Sequence, residues 1–237
     1  MSVNRSISEL SRSELASYLQ YTLVRPDATR AEMVAHIEQA AEHRFNAAMI
    51  SMCWVPLAKD ILRGTGVRVA TAISFGLGND SVHAKVALVR ECMALGADEL
   101  DYQPNMGYFI SGMYDEFRAE SAALVAAADG MPIKSMLELG YIQDEAEQRR
   151  AALLLQEAGV PWVKNSSGTG PHLAPATPQN IRLLRETLAD HVRVKASGGI
   201  KSYEQVIDLI NAGADLLGTS AGVQILDRVE VKGEAGY

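Results

Sequence analysis

The sequence repeats one pattern eight times: a short apolar run rich in β-branched residues, a turn, and a longer stretch with the apolar spacing of a helix. Strands and helices that alternate in this way form βα units and a parallel sheet. Eight such units are the number that closes a (β/α)₈ barrel. The predicted strands are Tyr18–Val24, Ala47–Ser51, Val67–Ser74, Asp98–Tyr102, Ile133–Glu138, Trp162–Asn165, Val192–Ala196 and Ala214–Gly218.

The predicted helices lie between these strands. In the helix over 82–95 the apolar residues fall on one face, and Lys85 and Arg90 lie away from it. Glycine follows several helices, at Gly96, Gly159 and Gly213, where a left-handed cap would end the helix just before the next strand. The predicted helices cover 29–43, 55–62, 82–95, 114–128, 144–158, 177–188 and 203–212, with a short helix after the last strand.

The chain length fits one barrel. The sequence has 237 residues, and barrels of this type commonly run ~200–250 residues as one domain. We therefore predict a single (β/α)₈ domain over 1–237, with a short N-terminal helical extension. The alternative that the pattern leaves open is a doubly wound open sheet, which is built from the same units.

The charge balance limits the class of partner. The formal net charge is −7 and the pI is about 5.3. Nucleic-acid binding needs a basic surface, so this class is not expected. An anionic small molecule remains possible, because a local group of lysines, arginines and backbone N–H groups can bind phosphate on an acidic protein.

The cysteines and the apolar runs bear on location. Cys53 and Cys92 form neither a CxxC pair nor a Cys/His cluster, so we expect no disulfide framework and no metal site. No apolar run of 18 residues occurs, and the N-terminal segment is polar. These features predict a cytoplasmic protein that does not span a membrane.

Two lysines end strands and precede glycine-rich loops. Lys164 is followed by a Ser- and Gly-rich segment, and Lys195 has the same setting one βα unit later. Active sites of barrels lie at the C-terminal ends of the strands, so the two amines should share one site. Repulsion and partial burial lower a lysine pKa, which leaves one amine neutral and nucleophilic. A neutral amine can form a Schiff base with a carbonyl group.

Carboxylates end two of the other strands. Asp101 could pair with a lysine and move protons, or it could serve as a salt-bridge partner or helix cap. For Glu138, and for Lys134 in the same strand, structural ion pairing is the favoured interpretation. Glycines follow the last two strands, where many barrels bind phosphate, and this set predicts a phosphate site. The remaining candidates are read as structural: surface positions for His36, His43, His83, His172 and His191, and packing for Met49, Met52 and Met106.

The sequence resembles the deoxyribose-phosphate aldolase family over nearly its whole length. Thr22–Thr29 is similar to the family's opening segment TLLKPDAT, and 64–71 resembles GTGVKVAT. The segment over 163–170, VKNSSGTG, resembles the Schiff-base segment VKTSTGFG. The segments VKASGGI over 194–200 and GTSAGVQIL over 218–226 are nearly identical to the family's last two motifs.

The resemblance implies a (β/α)₈ fold and a role for each matching residue. Lys164 matches the Schiff-base lysine, Lys195 the second lysine that lowers its pKa, and Asp101 the aspartate of the proton relay. Tyr237 matches a terminal tyrosine that assists proton transfer in some members, although a disordered tail is an equal alternative. The residues predicted to hold the substrate and its phosphate are Thr22, Ser167, Gly168, Gly198, Gly199, Lys201, Gly218 and Ser220.

The sequence also departs from the family pattern around the mouth of the barrel. Gln20 and Tyr21 stand where the family usually has Asp-His, which removes a carboxylate expected near the lysines. Tyr102–Asn105 replaces an apolar stretch, and Lys201 stands where arginine is usual. The lysine motifs are retained, so these differences predict imine chemistry with an altered substrate pocket.

The resemblance implies cleavage of 2-deoxy-D-ribose 5-phosphate to glyceraldehyde 3-phosphate and acetaldehyde, without a metal or organic cofactor. One alternative is a Schiff-base aldolase or transaldolase-like lyase for a different sugar phosphate. Another is a phosphosugar-binding barrel without catalytic activity. Barrels of this type often assemble into homo-oligomers, which we also expect here.

Overall fold

A computed structural model describes residues 7–169 and 174–229. Eight parallel strands follow one another around a closed barrel in chain order, and pairing of the last strand with the first completes it. The predicted (β/α)₈ barrel is confirmed, and the open doubly wound sheet is wrong. The strands are β1 Leu19–Leu23, β2 Ala47–Ile50, β3 Arg68–Ile73, β4 Glu99–Tyr102, β5 Ile133–Met136, β6 Trp162–Lys164, β7 Arg193–Ser197 and β8 Leu216–Thr219.

Helices connect the strands on the outside of the barrel. The N-terminal extension forms a helix, as predicted, and a short helix after β4 was not predicted. Gly96, Gly159 and Gly213 adopt φ of +92°, +80° and +109°, which confirms the predicted left-handed caps. The helices are α1 Arg12–Ser17, α2 Arg30–Glu42, α3 Val55–Ile61, α4 Val82–Ala94, α5 Met106–Ile110, α6 Tyr114–Ala127, α7 Glu145–Glu157, α8 Pro178–Thr187, α9 Tyr203–Asn211 and α10 Gly222–Leu226.

Serine, threonine and aspartate side chains begin most of the longer helices. Thr29 accepts a hydrogen bond from the backbone N–H of Glu32, whose carboxylate accepts one from the Thr29 N–H, so both ends of this capping box close at α2. Ser202 and Gln205 form the same arrangement at α9. In the described part of the chain, no helix combines the length and the apolar character needed to cross a bilayer.

The strand register decides which side chains enter the barrel. Partners in neighbouring parallel strands share a face, so one inward residue identifies the next around the barrel. Asp101 of β4 pairs with Lys134 of β5, and one layer further along Lys164 of β6 pairs with Lys195 of β7. The same alternation of inward and outward residues places Gln20 of β1 inside the barrel, beside Gly218 of β8. The register therefore directs the charged residues of four adjacent strands into one interior.

The apolar core lies mainly outside the barrel, between the strands and the helices. Leu100, Val163 and Val194 point outward and are fully buried there. Inside the barrel a small apolar group, Ala47, Met49 and Ala70, occupies β2 and β3. The interior is thus divided into an apolar side and a charged side, and chemistry is confined to the charged side.

One sequence interpretation is corrected on α2. His36 was expected at the surface, but it is only 6% exposed. Its ring stacks on Tyr21 with centroids 4.1 Å apart, and its Nε2 lies 3.1 Å from the Tyr21 carbonyl oxygen, to which it can donate. Burial disfavours the charged ring and lowers the pKa of His36 to about 4, although the hydrogen bond acts in the opposite direction. His36 is therefore a neutral core residue at pH 7.

This burial makes stability depend on pH. Between about pH 6.5 and pH 4 the unfolded chain protonates this histidine and the folded chain does not, so the free energy of unfolding should fall as the pH falls, by about 3 kcal/mol in total. His36→Gln keeps an N–H donor for the Tyr21 carbonyl oxygen but cannot titrate. Its free energy of unfolding, measured by urea unfolding at several pH values, should therefore lose this part of the pH dependence. His83→Gln, at an exposed position, is the control and should retain the slope. Equal pH dependence in both variants would contradict the assignment.

Candidate active site

Three side chains predicted from the sequence meet at the C-terminal end of the barrel. Asp101 Oδ2 lies 2.7 Å from Lys195 Nζ and 3.2 Å from Lys164 Nζ. All three residues are at most 2% exposed. The structure thus places both amines on one carboxylate oxygen, an arrangement in which either amine can exchange a proton with the same group.

The charge of Asp101 is set by its neighbours. Burial alone would raise the pKa of this carboxyl group, but Lys195, Lys164 and Lys134 outweigh it and hold the pKa below its usual range. Asp101 is therefore ionised at neutral pH. Its Oδ1 has no hydrogen-bond partner in the described part of the chain, and Lys134 Nζ lies 3.7 Å away. This oxygen can accept a hydrogen bond from a bound molecule.

The surroundings of Lys195 change its titration. Burial lowers its pKa, Lys164 and Lys134 lower it further, and Asp101 opposes them, so that the pKa is about 7. An amine with this pKa is populated in both protonation states at neutral pH, which suits a group that both accepts and donates a proton. The sequence argument that burial and neighbouring amines lower a lysine pKa therefore holds at Lys195.

A second layer of charge lies below these residues. Lys134 donates to Glu99 Oε2, and Arg68 Nη1 lies 2.5 Å from the other oxygen of Glu99. The ion pairing predicted for Lys134 is thus present. Gln20 lies between the layers and contacts both Glu99 and Lys195. The sequence interpretation of Gln20 as a lost carboxylate missed these contacts, and it missed Glu99 altogether.

Glu138 follows β5 on the same side of the mouth. It is 2% exposed, adopts a left-handed conformation with φ +51°, and accepts a hydrogen bond from the Ser167 N–H. Burial raises the pKa of Glu138, against the effects of Ser167 and Lys164. Glu138 therefore makes a structural hydrogen bond that orients the loop that follows Lys164.

The predicted phosphate-binding glycines lie at the ends of β6, β7 and β8. Gly198 and Gly199 have φ of +97° and +71°. A Cβ built on Gly198 would lie 3.3 Å from Pro175 Cα and 3.6 Å from Gly168 Cα, so the two loops approach at their backbones. A small cleft opens beside them, lined by Gly198, Gly199, Ile200, Lys201, Gly218, Thr219 and Ser220.

The other predicted binding residues differ in how accessible they are. Ser220 is exposed, and Lys201 is partly exposed at the cleft. Thr22 is buried above Gln20 and donates to the Gln20 carbonyl oxygen. Ser167 Oγ lies 3.2 Å from Thr169 Oγ1 within its own loop. Tyr237 lies outside the described residues.

A buried ion pair fixes the loops that frame the mouth. Lys85 was expected away from the packed face of its helix, but it is fully buried and pairs with Glu120 of α6 at 2.7 Å. Its Nζ also donates to the carbonyl oxygens of Gly78 and Gln103, which follow β3 and β4. Glu120 in turn accepts from the Asn105 N–H. The pair therefore ties the unusual segment after Asp101 to two helices.

The approach of these two loops requires a glycine. Gly78 has φ +71°, and a Cβ there would lie 2.3 Å from the Pro104 carbonyl oxygen. Any larger residue would separate the loops.

Residues 7–169 and 174–229 contain no group of three or more histidine, cysteine, aspartate or glutamate side chains placed to hold a metal ion. Chemistry at this site can be supplied by the lysines and the carboxylate.

Comparison with known proteins agrees with the site. Residues 18–227 match the model of the DeoC/LacD family of aldolases. A deoxyribose-phosphate aldolase of Dictyoglomus turgidum is 38% identical over 92% of this chain and 98% of its own length. One from Methanothermobacter thermautotrophicus is 38% identical over 91% and 95%. A tetrameric deoxyribose phosphate aldolase of Aeropyrum pernix is 26% identical, covers 92% and 91% of the two chains, and superposes with a TM-score of 0.82.

The family match covers all eight strands and both lysine loops, and it extends over nearly the full length of these relatives. An enzyme, rather than a sugar-binding barrel without activity, is therefore the correct interpretation of the lysine pair. The chain belongs to the DeoC/LacD family of aldolases and is itself an aldolase, a lyase acting on carbon–carbon bonds.

Proposed function

We propose that this aldolase cleaves 2-deoxy-D-ribose 5-phosphate through a Schiff base on Lys164. The observation that supports it is the placement of Lys164 and Lys195 on one oxygen of Asp101, beside a glycine-lined cleft. The relatives named as deoxyribose-phosphate aldolases support the substrate. The reaction yields glyceraldehyde 3-phosphate and acetaldehyde.

In the first stage Lys164 Nζ, as a neutral amine, attacks the C1 aldehyde of the open-chain sugar. The carbinolamine loses water and leaves an iminium ion at C1. Asp101 Oδ1, buried and without a hydrogen-bond partner in the described part of the chain, can accept a hydrogen bond from the carbinolamine hydroxyl. Lys195, with a pKa of about 7, can supply the proton that leaves with the water.

In the second stage the C2–C3 bond breaks and its electron pair moves into the iminium. The C3 hydroxyl loses its proton to the Asp101–Lys195 pair, and C3 becomes the aldehyde of glyceraldehyde 3-phosphate. The enamine left on Lys164 takes a proton at C2, and hydrolysis releases acetaldehyde and the free amine. Atoms and charge balance without a cofactor.

We propose that the phosphate of the substrate binds in the cleft at the ends of β7 and β8. Gly198, Gly199, Gly218 and Ser220 would offer backbone N–H groups and a hydroxyl, and Lys201 would add a charge. Gly168, Ser167 and Thr22 would bound the sugar between this cleft and the lysines. Tyr237 lies outside the described residues, and its role in proton transfer remains a prediction.

A different phosphorylated sugar is the second candidate. The observation that favours it is the segment after Asp101, where Gln103 is buried and its Oε1 lacks a hydrogen-bond partner within the described residues. A panel of phosphorylated aldoses and ketoses separates the two. Faster turnover of another sugar phosphate than of deoxyribose 5-phosphate would favour the second.

Self-association in the cytoplasm completes the proposal. A relative in Aeropyrum pernix is described as tetrameric, which supports a homo-oligomer here as well. Light scattering coupled to size exclusion would give the subunit number.

Reductive trapping tests the nucleophile. Borohydride added with acetaldehyde should leave one ethyl group on Lys164, located by mass spectrometry of the digested protein. Lys164→Ala should lose this adduct and lower kcat by roughly a thousandfold or more. Lys59→Ala, on a lysine paired with Asp98 away from the two lysine strands, is the control. An unaltered rate in Lys164→Ala would reject the mechanism.

The pH dependence of kcat tests Lys195. With a pKa of about 7, this amine gains a proton as the pH falls through neutrality and can no longer accept one, so kcat should decline on the acid side of about pH 7. Lys195→Met should lower kcat by roughly 10²–10⁴-fold and remove this inflection. A variant profile with the same inflection would assign the titration to another group.

A further inference from the structure

Gln20 makes two hydrogen bonds that link the layers of charge inside the barrel. It is fully buried on β1. Its Oε1 accepts from Lys195 Nζ at 2.5 Å, and its Nε2 donates to Glu99 Oε2 at 2.8 Å. The side chain therefore bridges Lys195 and Glu99 inside the barrel.

An amide satisfies both partners at once. The amine or ammonium of Lys195 offers hydrogens, and the carboxylate of Glu99 only accepts them. The amide presents oxygen to the first and N–H to the second, so these contacts fix its orientation. A carboxylate at position 20 would instead set two anions about 2.8 Å apart, and one would have to take up a proton. The residue at position 20 is thus matched to Glu99.

The balance of charge around Lys195 depends on Gln20 being neutral. Asp101 and Glu99 face the interior from β4, Lys134 from β5 and Lys164 from β6. On the other side β8 pairs Leu216 with Lys195 and adds no charge.

Apolar residues of β2 and β3 also line the interior, and Arg68 lies at the far oxygen of Glu99. Three lysines thus share Asp101 and Glu99 in the buried group, Glu138 acts on Lys164 from the mouth, and Gln20 adds no charge. A negative charge next to Lys195 would favour the charged form of that lysine.

We propose that Gln20 is a positioning residue for the aldol reaction proposed above, on which this inference rests: its amide holds Lys195 Nζ beside Asp101 and keeps the negative charge of Glu99 one side chain away from that amine. Gln20 touches no reacting atom. It acts by setting where the Lys195 amine points and how readily that amine releases its proton.

A charge swap tests the proposal directly. The double variant Gln20→Glu, Glu99→Gln keeps the formal charge but moves the anion next to Lys195 and away from Lys134 and Arg68. The chain has seven lysines, so the ¹³Cε signal of each can be followed by NMR during a pH titration, without any substrate. The pKa of Lys195 should rise by about one unit or more. At pH 7 kcat should then fall about fivefold or more, with the acid limb of its profile moved to higher pH.

Two single variants complete the design. Glu99→Gln alone removes the anion and leaves Gln20 in place, so the pKa of Lys195 should stay unchanged or fall, opposite to the swap. Gln20→Met has nearly the same length but no polar atoms that can replace the amide. It should lower kcat about tenfold with little change in KM, because the amine loses its fixed position, and thermal unfolding confirms that each variant is folded.

The proposal is overturned if the folded swap variant leaves the Lys195 pKa unchanged, or if Gln20→Met keeps the wild-type kcat and pH profile. If the swap variant does not fold, Gln20→Met decides by the same criteria. Failure of the proposed function is recognised separately, by the wild-type protein giving no turnover of deoxyribose 5-phosphate and no trapped adduct. The NMR titration reports the role of Gln20 in either case.

Discussion

Asp101 is the group on which the interior of the barrel depends, because it is a buried carboxylate faced by three lysines. A lone carboxylate in such surroundings would be costly, and so would each of the lysines. Together they compensate one another, but not completely, since positive groups outnumber negative ones on β4 to β7. Burial lowers the pKa of Lys195, and the neighbouring lysines lower it further against the effect of Asp101, so the burial that Asp101 permits also makes one amine reactive.

Much of the fold could be predicted because its signals are local. Strand periodicity, helix faces and the glycines after three helices each depend on a few neighbouring residues, and all were found in the structure. Lys164, Lys195 and Asp101 were predicted to share a site because the C-terminal ends of barrel strands meet there. Their contacts bear this out, while their roles rest on the resemblance and remain to be tested.

The features that sequence reasoning missed depend on contacts across the barrel. Gln20 was seen only as an absent carboxylate, since its partners Glu99 and Lys195 lie 79 and 175 residues away along the chain. Glu99 did carry a signal, because it stands two residues before Asp101 and so shares its face of β4. Lys85 lies on a helix face directed at loops, and His36 lies on a helix face directed at Tyr21. The apolar spacing of a helix indicates only the face that packs against the sheet, so it does not reveal these contacts.

Paired residues of neighbouring strands point to the same face of the barrel wall, and this limits how the sequence can change. Loops at the mouth can lengthen or shorten without moving the lysines, because each strand is held by its two neighbours. One inserted or deleted residue inside β4, β6 or β7 would turn every following side chain of that strand to the opposite face. Lysines or carboxylates would then enter the apolar layer under the helices. Length variation among such barrels should therefore accumulate in the loops, while the strands change by substitution alone.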